Sequence, residues 1–193
     1  FASSARTSRH AIAVVTGTNA WTWSTAATPQ TPTHSWFSPS QASASHRVLT
    51  SPTFGIIATT TLTFFHTYAF ESTTSCFDGG TLEISTDDGT TWTVVPDAAF
   101  TAGGFTGTVS ASFSNPIGGK RAWCNGSIGA MTQVNVNLAS FAGASNAKAR
   151  WHAGDDSSTA ATGWYVDSVT INNAGVAAPC TPSPAELIEY TIE

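Results

Sequence analysis

Thr81-Leu-Glu-Ile-Ser-Thr-Asp-Asp-Gly-Thr-Thr-Trp-Thr-Val-Val95 decides the fold class. Two runs of β-branched and aromatic residues alternate with polar ones on either side of Asp87-Asp88-Gly89. Period-two alternation marks a half-buried strand, and a glycine after two aspartates supplies the positive φ that a hairpin turn needs. The pattern predicts a β-hairpin with Leu82 and Ile84 facing a core and Glu83 and Ser85 facing solvent.

Similar runs recur along the chain, separated by Gly, Pro, Asn and Asp. They predict strands at 11–16, 20–24, 53–58, 61–70, 106–113, 121–125, 132–138, 147–152 and 163–172, in addition to the two of the hairpin. No stretch carries a helical stripe beyond one expected turn at 138–143, and residues 25–46, rich in Pro, Ser and Thr, read as loop. Strands at this spacing predict an all-β, antiparallel β-sandwich of jelly-roll type. One domain is expected over residues 1–176, with 177–193 as an extended tail whose end could pair as an edge strand.

Composition agrees with a charge-poor extracellular β protein. Only 10% of residues are charged, yet seven Trp and eleven Phe provide material for a core. Residues 1–70 hold Arg6, Arg9 and Arg47 and no acid, whereas residues 71–193 hold twelve acids and four bases. Without a basic cluster, nucleic acid is not an expected partner. The most apolar stretch, Phe54 to Phe70, is broken by Thr and His and too short for a membrane span, so no membrane insertion is expected. The chain starts at Phe1 with no signal-like segment, which reads as a processed or excised product. Three cysteines, Cys76, Cys124 and Cys180, give no complete disulfide framework. For a secreted protein the expected pair is Cys76 with Cys124; three free thiols are the alternative.

From Leu62 to Ile171 the chain resembles a known group of domains. The motifs are Phe65-His66, Glu71, Asp78-Gly79-Gly80, Leu82–Ser85, Gly89–Thr93, Asn115-Pro116, Gly119, Ala122-Trp123, Leu138–Gly143, Arg150, Gly154–Asp156 and Gly163–Val169. In order and spacing they are similar to jelly-roll accessory domains of secreted bacterial proteins: those of immune-inhibitor-A-type peptidases, choice-of-anchor J domains and, more distantly, MAM domains. The resemblance implies a calcium ion held by Glu71, Asp78 and Asp167 with backbone carbonyls. The chemistry of the residues agrees: calcium takes six to eight hard oxygens, and Asp167, in the apolar run Trp164-Tyr165-Val166, would be costly to bury unpaired. Asp155 and Asp156 read as a solvated turn or a second cation site.

No catalytic constellation stands out. The histidines lack zinc-site spacing, there is no Gly-x-Ser-x-Gly elbow, and His66 on its apolar strand reads as a hydrogen-bonded core residue. Trp21 and Trp23 share a face by period two and, with Trp36, are the candidate surface for stacking on a glycan. The expectation is a secreted, non-catalytic accessory or binding domain for a glycan, a protein or a cell surface. The alternatives are a self-associating structural subunit joined by edge strands and, less favoured, a polysaccharide hydrolase using Glu71 with Glu83 or Asp78.

Overall fold

The structure, a computed structural model, describes residues 11–13, 21–27, 30, 33–71 and 74–177. Cys180 and the tail from 178, and parts of the two N-terminal strands expected at 11–16 and 20–24, lie outside these residues. The strands in chain order are β1 (Ala11–Ala13), β2 (Thr22–Ser24), β3 (Ser35–Pro39), β4 (Ser45–Thr50), β5 (Thr61–Ala69), β6 (Gly79–Ser85) and β7 (Thr93–Val94). They continue as β8 (Phe100–Ala102), β9 (Gly107–Thr108), β10 (Arg121–Cys124), β11 (Thr132–Asn137), β12 (Lys148–Asp155) and β13 (Gly163–Asn172). One sheet runs β1-β4-β12-β6-β10-β9 with β7 attached to β6, and the other runs β2-β3-β13-β5-β11-β8. All pairings between these strands are antiparallel, and the two sheets pack as a sandwich.

The sheets enclose an aromatic core. Leu49, Leu62, Phe64, Leu82, Ile84, Trp123, Trp151, Trp164 and Val166 are all buried in one cluster. Phe64 meets Trp123 and Trp151 edge to face, with centroids 5.7 and 5.5 Å apart, a geometry aromatic quadrupoles favour. Trp164 lies so close to β6 that a Cβ on Gly80 would sit 2.5 Å from its ring, so that position tolerates only glycine.

The hairpin pairs Glu83 with Val94 and Ile84 with Thr93. Its turn is secured by Asp87, whose Oδ1 accepts from Ser85 Oγ at 2.7 Å and from the Thr91 amide at 2.8 Å. Asp88 and Gly89 take φ of 59° and 95°. The expected turn at 138–143 is a 3-10 helix at Ala139–Phe141.

Three expectations fail locally. Residues 25–46 contain β3 and the first two residues of β4 rather than loop alone. The inward positions of β3 and β4 include Ser38, Ser45 and Arg47, which fill a polar end of the interior, so no apolar alternation betrays the strands. At 53–58 there are only isolated bridges, Phe54 to Ala147 and Gly55 to Gly175. At 106–113 the ladder stops after Thr108, and Phe113 and Ser114 turn to φ of 61° and 64°. The segment from 109 to 120 then crosses the outer face of the first sheet. Val109 lies over Gly79, and Ile117 and Asn115 lie over Gly154.

That strap corrects the expectation for Glu83. The alternation does turn its side chain away from the core, but it is buried, with Lys120 Nζ at 2.7 Å, Arg150 Nε at 2.5 Å and His152 Nδ1 at 3.0 Å.

Candidate cation site at the end of the sandwich

The pairing of β6 with β12 sets Gly79 opposite Gly154. The residue entering β6, Asp78, is therefore beside the residues leaving β12, Asp155 and Asp156. Glu71 joins them because β5 ends at Ala69, paired with Gly163 at the start of β13, at the same end of the molecule. Carboxylate oxygens of Glu71, Asp78 and Asp156 lie within 4.8 Å of one another.

Asp78 and Asp156 are almost wholly buried, at 0% and 2% exposure. The Asp156 amide donates to Asp78 Oδ1 at 2.7 Å, and Asp156 Oδ1 accepts from the Ser158 amide at 2.7 Å. Glu71 Oε2 is shielded from solvent and has no hydrogen-bond partner. Among the described residues no ion pair reaches any of the three. Burial pushes the Asp78 carboxyl up to about 7; the Asp156 amide opposes this, and the charges of Asp155, Asp156 and Glu71 add to it. Glu71 is raised by burial and by Asp156. Beneath the cluster, Asp155 is paired with the buried Arg47, which also donates to Ser38 Oγ at 2.8 Å.

Crowded carboxylates, with Asp78 and Glu71 raised in proton affinity, and an oxygen without a donor are the electrostatic signature of a place for a hard cation. The donor set fits calcium: three carboxylates offer up to six oxygens, leaving carbonyls or water to complete the shell.

Glu71 and Asp78 from the expected ligand set are brought together, and Asp156 stands with them. Asp167 lies apart. It follows Gly163 by four residues, about 13 Å along an extended strand, and next to Val166 it points to the opposite face from the core. Its Oδ2 accepts from the Gln30 amide at 2.7 Å and its Oδ1 from the Ser168 amide at 2.6 Å. The sequence marks Asp156 only as part of a solvated turn or a second cation site; its place beside Glu71 and Asp78 depends on β6 meeting β12 across more than seventy intervening residues.

The other expected residues divide. Cys76 and Cys124 are joined by a disulfide of 2.07 Å that ties the loop between Glu71 and Asp78 to the end of β10. Trp21 is buried, 5.5 Å from Trp164 between ring centroids, and has no face available to a ligand. Trp36 is also buried, whereas Trp23, directly across from it in the β2–β3 ladder, is 61% exposed and stacks on it at 4.2 Å. The face shared by Trp21 and Trp23 is thus the inward one, and Trp23 emerges because β2 is the outermost strand of its sheet. His66 is a core residue: Trp164 Nε1 donates to its Nδ1 at 3.2 Å, and burial pushes its pKa down to about 3.

Fold and site together define an all-β, antiparallel β-sandwich module with a buried acidic cluster at one end. The chain belongs to the Reelin subrepeat B family, whose family model matches residues 22–172, from β2 to the end of β13. That β-rich family is the one matched, rather than the peptidase-accessory, choice-of-anchor J or MAM-like groups that the motif order resembles. No curated protein matches the chain. Reelin-type domains are typically extracellular and are not known as catalysts. Among the described residues no helix is long and apolar enough to cross a membrane.

Proposed function

We propose that the chain is a secreted, non-catalytic accessory module that binds calcium at Glu71, Asp78 and Asp156 and presents a surface to a glycan or a protein on another molecule or cell. The observation that carries the calcium reading is the convergence of three carboxylates within 4.8 Å, two of them buried, with no cationic side chain among the described residues paired to them. Calcium in that position offsets the mutual repulsion of the acids and links the loop after β5 to the ends of β6 and β12. It acts as a structural ion, and these residues hold and orient it. Trp23 is the aromatic platform of the surface, since an exposed indole fixed by a second indole presents a flat apolar face suited to a sugar ring.

The test is thermal unfolding and calorimetric titration with calcium. At a hundredfold excess over the dissociation constant, a ligand of the native state alone adds about 2.7 kcal/mol, a rise in melting temperature of roughly 5–10 °C for a domain of this size. Asp78→Asn abolishes the rise. A melting temperature indifferent to calcium and to chelator, with no heat of binding, rejects the site. For the surface, retention on insoluble polysaccharides is expected to be lost in Trp23→Ala, and equal retention of both proteins rejects Trp23 as the platform.

A further inference from the structure

On the outer face of the first sheet, away from the acidic cluster, β4 and β12 carry His46 and His152 at diagonal positions of their ladder. His46 Nδ1 and His152 Nε2 face each other at 2.8 Å. The second nitrogen of His152 is committed: Nδ1 lies 3.0 Å from Glu83 Oε2, a buried carboxylate. That contact makes Nδ1 the protonated nitrogen and leaves the Nε2 lone pair aimed at His46. His152 is buried while His46 is partly open to solvent, so the lone pair can be reached from outside. Directly across the ladder from His152, Thr81 is fully buried, and its Oγ1 has no hydrogen-bond partner.

We propose that His46 and His152 form a binding site for a borderline divalent transition-metal ion of the zinc or nickel class, with Glu83 as the carboxylate that orients His152. Imidazole nitrogen suits these ions, and a carboxylate on the far nitrogen of a ligating histidine is their usual support. Two nitrogens each about 2.0–2.1 Å from a tetrahedral ion are separated by about 3.3 Å, so the rings need to part by about half an ångström and each tilt by about 35° for both lone pairs to meet at the ion. The ion replaces the hydrogen between the rings. The proton on His46 Nδ1 moves to Nε2 of the same ring, where water accepts its hydrogen bond, so no net proton is released at neutral pH. Burial lowers the proton affinity of His46, which keeps it available as a ligand. Water and, through water, Thr81 Oγ1 complete the shell. The nearby cations Lys120 and Arg150 are both paired to Glu83, leaving one net positive charge beside the site; affinity is therefore expected in the micromolar range rather than tighter.

The site is independent of the calcium reading and is tested with the acidic cluster saturated by excess calcium. Calorimetric titration of zinc chloride into the protein is expected to show one saturable event. His46→Ala, at a partly exposed position, weakens it at least about tenfold while leaving the calcium response unchanged. Ring-nitrogen chemical shifts of His152 move on zinc addition in the parent protein only. No saturable binding below millimolar zinc, or equal binding by parent and His46→Ala, overturns the proposal.

Discussion

Replacing Glu83 by alanine is the most severe single test of how the outer face is held. The side chain is 1% exposed and accepts from three donors: Lys120 at 2.7 Å, Arg150 at 2.5 Å and His152 at 3.0 Å. Burial alone would raise its proton affinity, but hydrogen bonds from His152, Arg150 and Lys120 outweigh this and hold the carboxyl far below the usual range. Removing one partner of a buried ionic network costs roughly 3–5 kcal/mol, because the remaining charges stay desolvated. Here the lower end applies. The Lys120 and Arg150 side chains retain 32% and 18% exposure, and Arg150 keeps its place over Trp92, 4.2 Å from the ring centroid. A loss of about 3 kcal/mol corresponds to a melting temperature lower by roughly 6–12 °C. Urea and thermal unfolding measure it, and a double-mutant cycle with Lys120→Met is expected to return a coupling of about 1 kcal/mol. A Glu83→Ala protein within about 1 kcal/mol of the parent would refute the view that this face is a buried network.

Three further outcomes follow from buried groups elsewhere. His66 has a folded pKa of about 3 against an ordinary 6.5, so its contribution is complete above the ordinary value and is lost as pH falls. From about pH 7 to about pH 5 the loss is about 2 kcal/mol; His66→Gln is expected to flatten that part of the stability profile, and parallel profiles would contradict the assignment. Reducing the Cys76–Cys124 disulfide, which spans 48 residues, should lower unfolding free energy by about 4 kcal/mol in denaturant titrations; an unchanged midpoint would count against its structural role. Gly80→Ala forces a methyl into the Trp164 ring and should cost at least about 2 kcal/mol, with a changed near-ultraviolet spectrum from the displaced indole. A protein of parental stability would show that the two sheets can part there.

Elements whose evidence is local were readable from the residues. The hairpin around Asp87-Asp88-Gly89, β5, β11 and β13 each carry their own alternation, and the 3-10 turn at Ala139–Phe141 follows a Leu-x-x-Phe step. β3 and β4 were hidden because Ser38, Ser45 and Arg47 occupy inward positions that normally hold aliphatic side chains. For Glu83 the alternation gave the right direction and the wrong environment, since the strap carrying Ile117 and Lys120 belongs to a distant part of the chain. The acidic site was half legible. Glycines beside Asp78 mark a loop, but only the meeting of β6 with β12 shows that Asp156 stands next to it while Asp167 faces away.

The order of strands has a consequence for how the molecule is made. β12 lies between β4 and β6 in one sheet, and β13 lies between β3 and β5 in the other, so each late strand is the wedge that joins an early partner to a middle one. While the chain is being synthesised, both sheets remain split until residues 148–172 emerge, and the edges of β3, β4, β5 and β6 stay open to foreign strands. Pairings over such long separations close slowly. A chain cut short before Lys148 would therefore be left with each sheet in two unsatisfied halves, prone to associate with other chains rather than to survive as a smaller domain.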